Sequence, residues 1–543
     1  MSKQLPARPS LEQYRKQAKD LLKAHSASDH TALERIRQHH PTLHKLPLDA
    51  ISSAPFSLTD AQLVLAREHN FESWPKFAAH IETLTLIRTL AELKDPVAAF
   101  IEVACVPRHS GHTSGTLEHA ELILSRYPQV ATANIHTAAI LADDATVKRL
   151  LLQYPQDATT QGGPHQWDAL THLCFSRYLR LDKSRSEAFV RTAKLLLDAG
   201  ASARTGWYEM IDHPTPRPCF ESAIYGAAGI AQHAALTRLL LDFGADPNDE
   251  ETPYHVPEGY NNTVMEIIVE SGRLNQDSFT TLLVRKSDWH DFEGIRYLLE
   301  HGAGCNHPSH WKNAPFQHAV LRDNSIEIIQ LFLDHGADPL LRNRDDISAV
   351  TLAIRRGRGD ILDLFHQRSI SIALEPLDQL IAACAQDNGE TIQALTTGNP
   401  GLVPQLLADG GVLLNHFAAN GNTNGARNLL DLGIDPSSLS PPGDGYFGIA
   451  KNSTALHAAA WRANPSTVKL LIAREAPINA LDGQGRTALQ LAIKATVDSY
   501  WTELRTTESI EALLKAGATT QNIQLPTGYP EADALLLQYQ TSG

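Results

Sequence analysis

The sequence predicts an all-α solenoid, built of stacked helix-turn-helix repeats with short β-hairpin fingers and closed by helical caps at both ends. Three observations carry this. Residues 454–479 read as a helix capped by Thr454 with a small apolar side (Ala455, Leu456, Ala459, Ala460), a tight turn, a second helix with a stripe at Val468, Leu471 and Ile472, and an extended finger. A second copy, Thr-Ala-Leu-Gln-Leu-Ala, starts at Thr487, 33 residues after the first. The 543 residues are 43% hydrophobic but only 6% aromatic, a composition that fills the close gaps between short stacked helices. One such unit cannot bury both of its faces, so it must stack on others.

The Thr-Ala-Leu-His-Ala-Ala opening at Thr454 and the 33-residue period resemble the ankyrin repeat. The resemblance implies a structural role for His457, tying adjacent turns together by hydrogen bonds. It also implies that the chain binds other proteins rather than transforming a substrate.

Residues 1–93 lack the repeat signature and read as an N-terminal helical cap. Ser10 with Gln13 marks a capped start, followed by one apolar face at Leu11, Tyr14, Ala18, Leu21 and Leu22. A shorter helix is expected around Leu33 and Ile36. Thr59 with Gln62 repeats the capping signal, and Pro75 suits a first helical turn. The segments beginning at Pro9 and Asp60 resemble the leader of a group of bacterial multi-ankyrin proteins.

Residues 94–369 read as a first ankyrin-repeat array with insertions. Its early pairs are diverged, and residues 176–187 intervene between the two helices of one unit. The units ending at Gly244, Gly302 and Gly336 follow the pattern well, with a glycine where a left-handed residue closes a helix. His301 and His335 precede two of these glycines and sit where a histidine favours the carbonyl end of the helix. Residues 249–268 read as an enlarged finger.

Near Ile370 the rhythm breaks. Residues 370–543 read as a second array with a C-terminal cap. It holds a long finger rich in serine, proline and glycine over 437–444, and its last repeat is split by residues 497–507.

Net charge is −14, with no run of lysine or arginine able to neutralise successive phosphates, which argues against nucleic acid or an anionic membrane as partner. No apolar leader or bilayer-length stretch is evident, so a cytoplasmic monomer is expected. The five cysteines are widely spaced, form no CxxC pair and read as buried free thiols.

The 25 histidines invite a metal hypothesis. Cys105, His109 and His112 lie beside a flexible loop, and Cys305, His307 and His310 repeat the idea in a finger. Neither has a recognised zinc spacing, so solvated loop histidines are the ordinary reading and no metal ligand is assigned. A third group, Asp249, Glu250, Glu251 and His255 against His290 and Asp291, has the side chains for acid–base work, but a regular stack keeps a finger and an inter-helix turn on opposite edges.

No nucleophile elbow, HExxH, phosphate-binding glycine loop or dinucleotide fingerprint is present, so no catalytic residue and no cofactor is assigned. Binding to a protein partner is the stronger reading. Tyr254, Tyr446, Phe447, Trp461, Arg462, Tyr500 and Trp501 are the candidate contacts, because aromatic and arginine side chains anchor protein interfaces. The equal alternative for any one aromatic is packing of an insertion onto its own repeat. At the level of function, the alternatives are an enzyme or metal-dependent protein with a site in the insertions near Trp167, Asp249 or Trp501, and an inhibitor or immunity-like protein that masks one partner.

Overall fold

A computed structural model describes residues 5, 6, 9–54, 56–91, 93–109, 111–212, 215–499, 501, 504–521 and 523–540. The candidate contact Tyr500 lies outside the described residues. The chain forms two compact units, residues 1–246 and 247–543, each treated by itself below. Ile370 falls inside the second.

The first unit opens with helices Leu11–Ser26, His30–His39, Leu48–Ser53, Leu58–Glu68 and Trp74–Ala91. Ala18, Leu21, Leu33, Ile36, Ile51, Val64 and Leu65 form one core, and Tyr14, Ala66, Phe77 and Ile81 form a second. Ser10 accepts from the Gln13 backbone N–H as expected. The next capping signal is corrected: helix Leu58–Glu68 is capped by Ser57 with Asp60, not by Thr59 with Gln62. The carboxylate of Asp60 takes both the backbone N–H and the hydroxyl of Ser57, a stronger pairing than an amide offers.

Helix pairs follow. The first helices Ile135–Ile140 and Ala169–Cys174 pack side by side, and the second helices Asp144–Gln153, Ser186–Asp198 and Ala234–Asp242 stack behind them. The insertion at 176–187 forms the short helix Arg177–Leu181 and leads into the start of Ser186–Asp198. An element not anticipated from sequence is the antiparallel hairpin of β1 (Gly206–Ile211) and β2 (Arg217–Ser222), which enlarges one finger.

In the second unit the first helices Gln276–Asp288, Pro315–Leu321 and Ala349–Arg355 pack in succession, as do Gly410–Ala419, Ala455–Trp461 and Ala488–Asp498. Their partners include Phe292–Glu300, Ile326–Asp334, Pro465–Ala473 and Glu508–Lys515. The histidines before the closing glycines act as expected: His301 Nδ1 donates to Tyr297 O at 2.8 Å and His335 Nδ1 to Leu331 O at 2.9 Å. Gly302 and Gly336 take φ of 95° and 83°, the left-handed conformation that ends each helix. Residues 249–268 depart from the expected finger and form helix Glu251–His255 and most of Thr263–Glu270. Asp249 starts the first of these by accepting from the N–H and hydroxyl of Thr252.

His457 sits as the resemblance implied. Its Nδ1 accepts from Thr454 N (3.2 Å) and Oγ1 (2.8 Å), so Nε2 carries the proton and donates to Ala480 O at 3.0 Å and Arg486 O at 3.1 Å. One imidazole thus caps its own helix and holds the next finger.

The first unit also buries His136, His165 and His172 around Trp167. Burial holds all three below the ordinary histidine range, His172 at about 3 with His136 adding to the effect. The unfolded chain therefore binds these protons first, and the stability is present above pH 6.5 and lost as pH falls toward 3. At pH 5 the loss from His172 alone is about 2 kcal/mol. Urea unfolding of the full chain at pH 7 and pH 5 is expected to show this drop, and a His172→Gln variant to show a smaller one.

Candidate interaction surface

The candidate contacts come together at the C-terminal ends of the first helices of the second unit. Helix Gln276–Asp288 supplies Arg285 and Asp288, and the residues that cap the next two first helices are Arg322 and Arg356. Helix Ala455–Trp461 ends on Trp461 and is capped by Arg462. The long finger reaches this row from β3 (Leu439–Ser440) and returns through β4 (Ser453–Thr454), with a bridge between Asp444 and Ile449. Gly443 permits the reversal: its φ is 62°, and a Cβ there would lie 2.6 Å from Ile449 O.

The finger lays its aromatics between the arginines. Tyr446 lies under the Arg322 guanidinium, 3.6 Å from ring centre to Cζ, and its hydroxyl donates to Asp288 O at 2.9 Å. Phe447 is buried, with Arg462 Cζ 3.9 Å and Arg356 Cζ 5.3 Å from its ring centre. Trp461 Nε1 donates to Phe447 O, and its ring meets Trp501 edge-on at 5.3 Å. Arg462 also faces the Trp501 ring at 5.0 Å. At the other end Arg285 stacks on Tyr254 at 4.0 Å. All six described candidates therefore lie along one row of alternating aromatic and arginine side chains. Tyr254, Tyr446, Trp461 and Arg462 are half-buried, whereas Phe447 and Trp501 are buried and support the others.

Three aspartates hold the arginines. Asp288 accepts from Arg285 (2.7 Å), Arg322 (2.9 Å) and His318 (2.8 Å). Burial opposes its charge, but the His318 hydrogen bond and the two guanidinium groups hold its carboxyl down to about 2. Asp323 receives two bonds of 2.7 Å from Arg356 and lies 3.5 Å from Arg462. It too is held at about 2, because Arg356, Arg462 and Arg358 overcome its burial. Asp444 of the finger completes the set at 3.3 Å from Arg356. Sequence reasoning missed Arg285, Asp288, Arg322, Asp323 and Arg356, since each arginine or aspartate reads alone as an ordinary helix-end charge.

The other candidate groups are placed differently. Cys105 is a buried thiol whose pKa burial pushes up, and it does not join His112 in any metal-sized group among the described residues. His112 is not solvated as expected: it lies 3.1 Å from Glu209, with Glu221 close by. His307 pairs with Asp277 at 2.8 Å, His310 packs on Trp311, and the Cys305 thiol donates to Phe332 O and His335 O. His255 lies between Glu251 and Glu258 at 3.1 and 3.0 Å, and these carboxylates raise it to about 9 against the effect of burial. His290 is instead driven down to about 4, by burial first and then by Arg462.

Removing Asp323 takes from the buried Arg356 its two shortest carboxylate bonds and leaves it the longer one to Asp444. An Asp323→Ala variant is expected to lose about 3–5 kcal/mol of stability in urea unfolding, the cost of breaking one side of a buried ion pair.

The ankyrin-repeat family model matches residues 417–523 in three copies. A curated relative, the ankyrin repeat and KH domain-containing protein mask-1 of Caenorhabditis elegans, is 28% identical over 132 residues, which are 23% of this chain and 5% of that protein. The chain thus spans only a small share of that relative's length. Among solved structures, the human ASB11 ankyrin repeat domain aligns at 22% identity over 40% of this chain and 90% of its own, with a TM-score of 0.29. With the capped helix pairs and the His457 bridge, the match at 417–523 shows that this chain carries ankyrin repeats in an all-α solenoid.

Proposed function

We propose that the chain is a non-catalytic, cytoplasmic scaffold that binds a protein partner through the arginine–aromatic row of its second unit. The observation that carries this reading is the row itself: Tyr254, Tyr446, Trp461 and Arg462 stay partly exposed on a bed of buried Phe447, Trp501 and paired charges. Rigid aromatics, and an arginine already held by Phe447, Trp501 and Asp323, lose little freedom when they are covered, and such side chains dominate binding energy at protein interfaces. Ankyrin repeats generally mediate protein–protein interaction, which supports the same reading.

The experiment is capture of partners from native lysate by the intact protein and by Tyr446→Ala and Arg462→Ala variants whose unfolding midpoints have been measured. Hydrogen exchange of the purified complex then locates the contact. Loss of a partner in a folded variant, with protection at 444–447 and 461–462, is expected. A partner retained by both folded variants, or protection confined to other repeats, would overturn the assignment.

A further inference from the structure

We propose that the first unit holds a divalent transition-metal ion between His112, Glu209 and Glu221. The proposal is independent of the interaction surface. It rests on three features of the β1–β2 hairpin and the loop that covers it.

The first is register. Trp207 pairs with Glu221 and Glu209 with Cys219, so Glu209 and Glu221 project from the same face of the hairpin as diagonal neighbours. The twist of a two-stranded ribbon brings such diagonal side chains together.

The second is convergence on an imidazole. His112 comes from a loop nearly a hundred positions earlier, and its Nε2 lies 3.1 Å from Glu209 Oε2. Its Nδ1 is 3.0 Å from the Tyr225 hydroxyl and 4.0 Å from Glu221 Oε2. One ligand atom from each of the three residues lies within 4.8 Å of the other two. Ligands about 2 Å from a shared ion stand a little over 3 Å apart, so the His112 Nε2–Glu209 spacing already suits one, and Glu221, within the same 4.8 Å group, moves inward to complete the set. Tyr225 supplies the outer hydrogen bond that orients a metal-bound histidine.

The third is the medium. The side chains of His112, Glu209 and Glu221 are 9%, 12% and 2% exposed. Trp207 and Tyr225 meet the His112 ring edge-on at 5.8 and 5.9 Å, and Phe175 packs against both. Carboxylate oxygens held together in such an enclosure favour a cation among them. One nitrogen and two carboxylate oxygens are donors for zinc or manganese, and three protein ligands leave a position for water.

The test uses the full-length, tag-free chain, stripped with a chelator and dialysed. Zn²⁺ and Mn²⁺ are titrated by calorimetry, bound metal is counted after gel filtration, and melting is followed in parallel. The proposal expects one equivalent of one of these ions bound at micromolar or tighter concentration, with a raised melting temperature. Glu209→Gln and His112→Gln should weaken binding at least tenfold, and Glu118→Gln, an exposed carboxylate on the following helix, should not. A further sign separates ligand loss from misfolding: Glu209→Gln should keep a cooperative metal-free unfolding transition yet lose the rise in melting temperature that the ion produces. Failure of both ions to bind, or binding that survives Glu209→Gln and His112→Gln alike, would overturn the site.

Discussion

Several repeats of the second unit are tied to their neighbours by side-chain N–H groups that donate to carbonyl oxygens at or just past the ends of the adjoining first helices. Asn324 donates to Ser287 O, Arg358 to Asn324 O, Asn422 to Gly357 O and Ala385 O, and Asn464 to Ala418 O and Ala419 O. The need is physical. A helix of seven residues such as Ala349–Arg355 leaves most of its terminal carbonyls without a partner inside the helix, and stacking takes them out of water. A stack of short helices must therefore answer those carbonyls from the next repeat. His457 and Gln317 do the same at the opposite ends, where they cap their own helices and donate onward into the following finger.

The arginine–aromatic row grows from the same helix ends. With the backbone satisfied by the asparagines, the cap positions are open to larger side chains, and Arg322, Arg356 and Arg462 occupy them. Their charges would be costly so near the interior without Asp288, Asp323 and Asp444. The aromatics of the finger then cover the paired charges. Fold and surface are thus made from two positions of one helix end: the cap residue pairs charge, and the residue two places on donates to the neighbouring repeat.

What could be read beforehand follows from how local each signal is. The helix pair at 454–479, the glycine closures and the roles of His301 and His335 depend on near neighbours and were legible, whereas the role of His457, which reaches Ala480 and Arg486, came from the resemblance. The cap of helix Leu58–Glu68 was displaced by two residues because Ser57–Asp60 and Thr59–Gln62 are both plausible by spacing, and only carboxylate strength separates them. The acidic opening at Asp249 suggests a loop, yet the same carboxylate starts a helix by capping Thr252. The β1–β2 hairpin carried the weak signal of alternating Trp207, Glu209 and Ile211, overshadowed by the helical rhythm around it. Individual aromatics of the row were visible as candidates. Apart from Arg462, the charges that join them were not, because Asp288 and Tyr446 meet only after four intervening helix pairs have folded.

That last contact changes how the second unit should come apart. A linear array coupled only between neighbours can fray from either end, one repeat at a time. Here Tyr446 reaches Asp288 and Arg322, and Asp444 reaches Arg356, so a loop near the C-terminal repeats is anchored on repeats much earlier in the chain. The finger acts as a strap across the array. Everything between its two anchorages must let go together, which makes a quasi-one-dimensional chain of modules behave over that span as a closed, all-or-none body.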